Sequence, residues 1–151
     1  MANSQAMCTS FKVDLLNGVH AFGTTVTRAG TGADTFKGAL FLATASLGAS
    51  TTSYSSTNEV SGTNYTAGGA SVTNATAPTS SGTTAYWTPS ASLSWSNVTL
   101  STAFDAVLIY NSSQSNKAVA VFTFGSQTVT AGTFTLTMPT NDSTNALIRI
   151  A

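Results

Sequence analysis

The residues that could carry acid–base or metal chemistry are few: one histidine, His20, and five acids, Asp14, Asp34, Glu59, Asp105 and Asp142. A metal centre needs several ligands at short, regular spacings. The acids have no such spacing around His20. A hydrolytic triad needs a serine activated by histidine, and its usual sequence mark is a serine flanked at two positions by glycines. Serines are abundant here, but none stands in that pattern. Nor do the acids fall in an aromatic-rich, turn-bounded segment that would suggest the paired carboxylates of a glycosidase. The expectation is no catalytic residue, no metal and no cofactor, with His20 structural or solvent-facing. Cys8 is the only cysteine, so no intrachain disulfide can form, and it reads as a small buried side chain.

The 151 residues suit one domain spanning 1–151, large enough to bury a core without disulfides or a metal. Only 7% are charged, against roughly 25% in typical soluble domains, while 42% are apolar. Ser and Thr make up about a third of the chain, so hydroxyls have replaced charges as its polar component. Few charges leave a surface poorly protected against association, which implies that partners cover much of it. The net charge is zero, and Lys12, Arg28, Lys37, Lys117 and Arg149 are scattered. Nucleic-acid binding, which needs clustered cations, is therefore not expected. No apolar run is long enough to span a membrane. The first 25 residues lack a basic stretch ahead of a continuous apolar run, so synthesis in a cytoplasm is the expectation.

Met7, Phe11, Leu15, Val19 and Phe22 fall on one face of a helix, predicting an amphipathic helix over about 5–22. Asn3 or Ser4 would cap it, and Gly23 would end it after a weak point at Gly18. From about 33 to 151 the chain reads as a β-sandwich. Residues 36–45 are apolar on both alternating faces, as in a central strand. Short alternating runs follow at 91–97, 104–110, 118–124, 127–129, 134–138 and 147–150, with Ala131 and Gly132 read as a tight hairpin turn. Together these predict a mainly β fold: an antiparallel β-sandwich or jelly-roll-like barrel with one N-terminal amphipathic helix. The polar stretches 50–61 and 75–86 read as exposed loops or edges, and as the place for partner contacts.

Among the aromatics, Trp95 alternates with Leu93 and reads as core, whereas Trp87, beside Pro89, reads as a contact residue. Asp105 follows Phe104 in an alternating run, which points it outward or into an interface. In the block 58–66, Gly62 would permit a positive-φ turn, Glu59 would accept backbone hydrogen bonds, and Tyr65 would re-enter the packed layer. The interface candidates are Tyr54, Glu59, Tyr65, Tyr86 and Trp87.

This block, Asn58-Glu59-Val60-Ser61-Gly62-Thr63-Asn64-Tyr65-Thr66, follows an apolar strand around 40–43 and an N-terminal helix, and precedes a β-rich half. The arrangement resembles small structural proteins of tailed-phage virions, and the resemblance runs through most of the chain. It departs from their pattern at Ala67, Gly68 and Gly69, where an Arg often stands. The resemblance implies a capsid decoration or cement protein on the virion. Its partners would be the major capsid protein and copies of itself, as a trimer or dimer. The alternative is a tail appendage or adaptor that touches a host glycan through Trp87, Tyr86 and Tyr54. A small carbohydrate-binding or hydrolytic module is the third reading.

Overall fold

The computed structural model describes residues 2–16, 18–24 and 32–151. Arg28 lies outside them. The fold is mainly β, with two antiparallel sheets and one short helix near the N-terminus. The strands are β1 (Ala6–Met7), β2 (Phe36–Leu42), β3 (Ala70–Ser71), β4 (Thr79–Ser81), β5 (Thr84–Trp87), β6 (Leu93–Asn111), β7 (Lys117–Leu136) and β8 (Ile148–Ile150), and the helix α1 is Thr9–Leu16. The larger sheet has the order β1-β7-β6-β2-β3 and the smaller β4-β5-β8.

The helix is much shorter than the periodicity predicts. Gly18 adopts φ +66° and donates to the Leu15 carbonyl at 3.0 Å, while Val19 donates to that of Asp14 at 2.9 Å. A glycine in the left-handed region closes the last turn in this way, so Val19 and Phe22 leave the helical face. Ahead of the helix, Ala6 and Met7 pair with Val121 and Ala120 as a strand. Asn3 does not cap the helix. It bonds the Leu42 carbonyl, the Leu47 amide and the Asp105 carboxylate instead, tying the N-terminus to the outer side of β6.

Two long strands, β6 and β7, replace the five short ones expected between 91 and 138. Asn97 at φ +54° and Ala131 at φ +44° are absorbed as irregularities in a continuous β6–β7 ladder that runs from Asn111↔Lys117 to Leu93↔Leu136. The residues that read as a hairpin turn are therefore a bulge, which bends a strand without ending it. The bend is large. Phe124 and Phe134 lie ten positions apart, about 33 Å along a straight strand, yet their ring centroids are 5.3 Å apart. Leu93 and Ile109, far apart along β6, both fill the space above Gly38 on β2. The ribbon thus folds back over the larger sheet, and the two halves enclose one layer of core that includes Trp95, Val98, Leu100, Phe104, Val107 and Ile109.

Trp87 belongs to this interior and is not a surface contact residue. It is 2% exposed, packs on Phe22 at 4.7 Å and donates its indole N–H to the Thr76 carbonyl. Fully burying so large a ring contributes about 3 kcal/mol, which is why β5 turns it inward. The polar stretch 75–86 forms the β4–β5 hairpin, whose turn is closed by Gly82 at φ +58°. No helix among the described residues is long and apolar enough to cross a membrane.

Candidate functional site

Glu59 is the centre of a buried polar cluster beside β2. Asn58 adopts φ +62° and its carbonyl accepts from the Leu42 amide, while the Val60 amide donates to the Leu40 carbonyl. These bonds lay residues 58–60 along the outer edge of β2 and carry the Glu59 side chain inward, to 9% exposure. One carboxylate oxygen accepts from the Tyr65 hydroxyl at 2.7 Å and the Gly68 amide at 2.8 Å, and the other from the Tyr54 hydroxyl at 2.6 Å. Tyr65 also accepts from the Leu40 amide, and Tyr110 donates to the Gly68 carbonyl. Tyr54 stacks on Tyr110 at 4.6 Å.

The cluster brings together three of the five interface candidates, Tyr54, Glu59 and Tyr65, and adds Tyr110. Its hydrogen bonds point into the chain, so its task is to shape the 54–69 loop. The expected backbone bond to Glu59 is present, from Gly68. The positive φ falls at Asn58, Asn64, Gly68 and Gly69 rather than at Gly62. Gly62 is required for another reason: a Cβ there would collide with the Thr99 carbonyl oxygen, so the loop lies directly against β6. Tyr86 sits elsewhere, on the β5 strand of the smaller sheet, opposite Arg149.

Burial pushes the hydroxyls of Tyr54, Tyr65 and Tyr110 above the ordinary tyrosine value of 10.0, and the Glu59 carboxylate reinforces this. Burial also pushes the Cys8 thiol up to about 11. A raised folded-state value favours the neutral form, so this stability is complete below the unfolded value, pH ~9 for the thiol and pH ~10 for the tyrosines, and is lost as pH rises toward the folded values. Urea unfolding between pH 8 and 12 is expected to give a constant midpoint up to about pH 9, a shallow decline to about pH 10 and a steeper fall above it. Tyr65 alone contributes about 1.4 kcal/mol per pH unit in that window. A midpoint that stays flat to pH 12 would contradict the geometry.

A second polar cluster closes the other end of β2. Asp34 accepts from the Ala21 amide, the Asn111 amide nitrogen, the Ser113 hydroxyl and the Gln114 amide nitrogen. Asn111 also meets His20 Nδ1 at 3.0 Å, and His20 Nε2 lies 3.8 Å from Asp14, which Lys117 pairs at 3.0 Å. An acid–histidine array of this kind could relay a proton. Here His20 is 8% exposed and is flanked by Phe11, Phe22 and Phe36, in the wall of an open, mostly apolar pocket of about 230 Å³ that Leu15, Trp87 and Ile148 also line. Sequence reasoning missed this cluster because its members lie in four separate segments.

The exposed surface of the β6–β7 ribbon is the third feature. Ser94, Ser96, Asn97, Ser101, Thr102, Gln127, Thr128, Thr130, Thr133 and Thr135 are exposed, and the Ser94 and Thr135 hydroxyls pair across the strands at 3.2 Å. No charged residue occurs in β7 from 122 to 136. Comparison with family models, curated proteins and solved structures finds no match for the chain.

Proposed function

We propose that this chain is a non-enzymatic structural protein of a virion, which decorates and cements the capsid through contacts with the major capsid protein and with copies of itself. The observation that carries the reading is the hydroxyl-rich face of the β6–β7 ribbon, without a charge from 93 to 102 and from 122 to 136, exposed along a bent strand pair whose other face packs on the core. A soluble protein normally guards such strands with Lys, Glu or Pro. Leaving them unguarded suits a surface that is covered in the working state. The two buried carboxylate clusters support a structural task as well, because every contact described for them orders a loop.

The reading as a tail adaptor that holds a glycan on Trp87, Tyr86 and Tyr54 has less support, since Trp87 is buried and Tyr54 stacks on Tyr110. Mixing the purified protein with purified capsids tests the proposal. Co-sedimentation that saturates at a fixed ratio to capsid subunits is expected, together with raised thermal resistance of the shell. Protein that stays in the supernatant at tens of micromolar would overturn it.

A further inference from the structure

Among the described residues, the outer edge of β7 has no partner strand from residue 122 onward. β1 pairs only with Ala120 and Val121, and among the described residues no other strand adjoins β7 on that side. The edge 122–136 reads Phe-Thr-Phe-Gly-Ser-Gln-Thr-Val-Thr-Ala-Gly-Thr-Phe-Thr-Leu, without a charge or a proline. Its order is close to a palindrome centred on Val129. Thr128 mirrors Thr130, Phe124 mirrors Phe134, Thr123 mirrors Thr135 and Phe122 mirrors Leu136. Small or neutral residues fill the three remaining pairs. An antiparallel strand paired with its own copy across a twofold axis meets its own sequence reversed, so a near-palindrome is self-complementary in that arrangement.

We infer that β7 pairs antiparallel with β7 of a second copy about a twofold axis through Val129, joining two copies into one continuous sheet. The bend of the strand fits this axis. Phe124 and Phe134 pack together at 5.3 Å, so the bend is centred near the midpoint between them, which is Val129. A twofold axis along the sheet normal at that point leaves the normal unchanged, and both copies then curl to the same side. Cross-strand neighbours face one another directly in such a ladder, so each half-buried Phe124 comes opposite Phe134 of the second copy, extending the existing aromatic cluster with Phe104. Allowing for the irregular stretches near Gly125 and Ala131, the edge supplies on the order of ten backbone hydrogen bonds, the number a standard interface carries. This contact deepens the cement reading, on which its biological purpose rests, but it is a property of the isolated chain.

Paired charges at the centre of the edge test it. Thr128 and Thr130 are exposed, so substitution there leaves the core intact, and the twofold puts each opposite the other's counterpart. Sedimentation analysis of the purified chain is expected to give a dimer for the wild type. The variant Thr128→Lys/Thr130→Lys, with like charges opposed twice, is expected to associate at least tenfold more weakly. The variant Thr128→Lys/Thr130→Glu, with opposite charges facing twice, is expected to recover the dimer, and the contrast is expected to shrink at high salt. Circular dichroism checks that both variants fold. A monomeric wild type, or equal association of the two folded variants, overturns the pairing. Capsid binding by the double-lysine variant is read separately, so a failed dimer and a failed cement function give different results.

Discussion

Replacing Glu59 with alanine is expected to lower stability by about 4 kcal/mol, a large fraction of the roughly 5–15 kcal/mol margin that a folded domain has. The side chain receives two tyrosine hydroxyls and one backbone amide inside the fold. Each donor left without an acceptor costs about 1–3 kcal/mol, and water can reach Tyr54 and Tyr65 in part, which keeps the sum below the upper limit. At about 2–4 °C per kcal/mol the midpoint of thermal unfolding falls by roughly 10 °C. Glu59→Gln is expected to cost less, about 1–2 kcal/mol, because the amide retains one acceptor and the Tyr54 hydroxyl can rotate to accept from its nitrogen. A double-mutant cycle with Tyr65→Phe is expected to be strongly non-additive, since both changes break the same bond. Thermal unfolding of the alanine variant within about 2 °C of wild type would show that the loop does not depend on this carboxylate.

Replacing Asp34 with alanine is the second large effect, expected at about 3–5 kcal/mol. Asp34 is 5% exposed and gathers donors from three places: the Ala21 amide ahead of β2, Asn111 at the end of β6, and Ser113 with Gln114 in the turn between β6 and β7. Asn111 has no exposed surface, and its own oxygen accepts from the Ser113 amide and hydroxyl. Removing the carboxylate strands several polar groups at once, away from water. Hydrogen exchange locates the damage: the Ala21 amide, held at 2.6 Å, is expected to lose most of its protection, while amides in the middle of β6 keep theirs up to the new global limit. Unchanged exchange at Ala21 would place the anchor of this segment elsewhere.

The two acids differ in how legible they were. Glu59 sits in a block whose turn residues mark it from sequence, and the predicted backbone bond is there, because donor and acceptor are nine positions apart within one loop. Asp34 gives no such sign. Its partners Asn111, Ser113 and Gln114 lie nearly eighty positions away and come to it only because β2 pairs with the end of β6 at Phe36↔Asn111. The same distinction explains the strands. Alternation found strand within the runs near 91–97, 104–110 and 118–124, but it read them as separate short strands, and Ala131 with Gly132 looked like a chain reversal. A residue in the left-handed region is compatible with a turn or a bulge, and the local sequence is the same in both.

By itself the sequence determined the β class, the low charge, the covered faces of the 36–42 strand, which lies beside the central strand β6, and the interior place of Trp95, because alternation and composition act through nearest neighbours along the chain. It also carries the near-palindrome around Val129. The tertiary structure alone decided that the helix stops at Leu16, that Trp87 turns inward beneath Phe22 and Phe36, that β6 and β7 are single bent strands, and that the 122–136 edge is left open. Each of these depends on which distant segments meet, a choice made by the packing of one core layer between the halves of a folded ribbon, and no pattern of neighbouring residues encodes it.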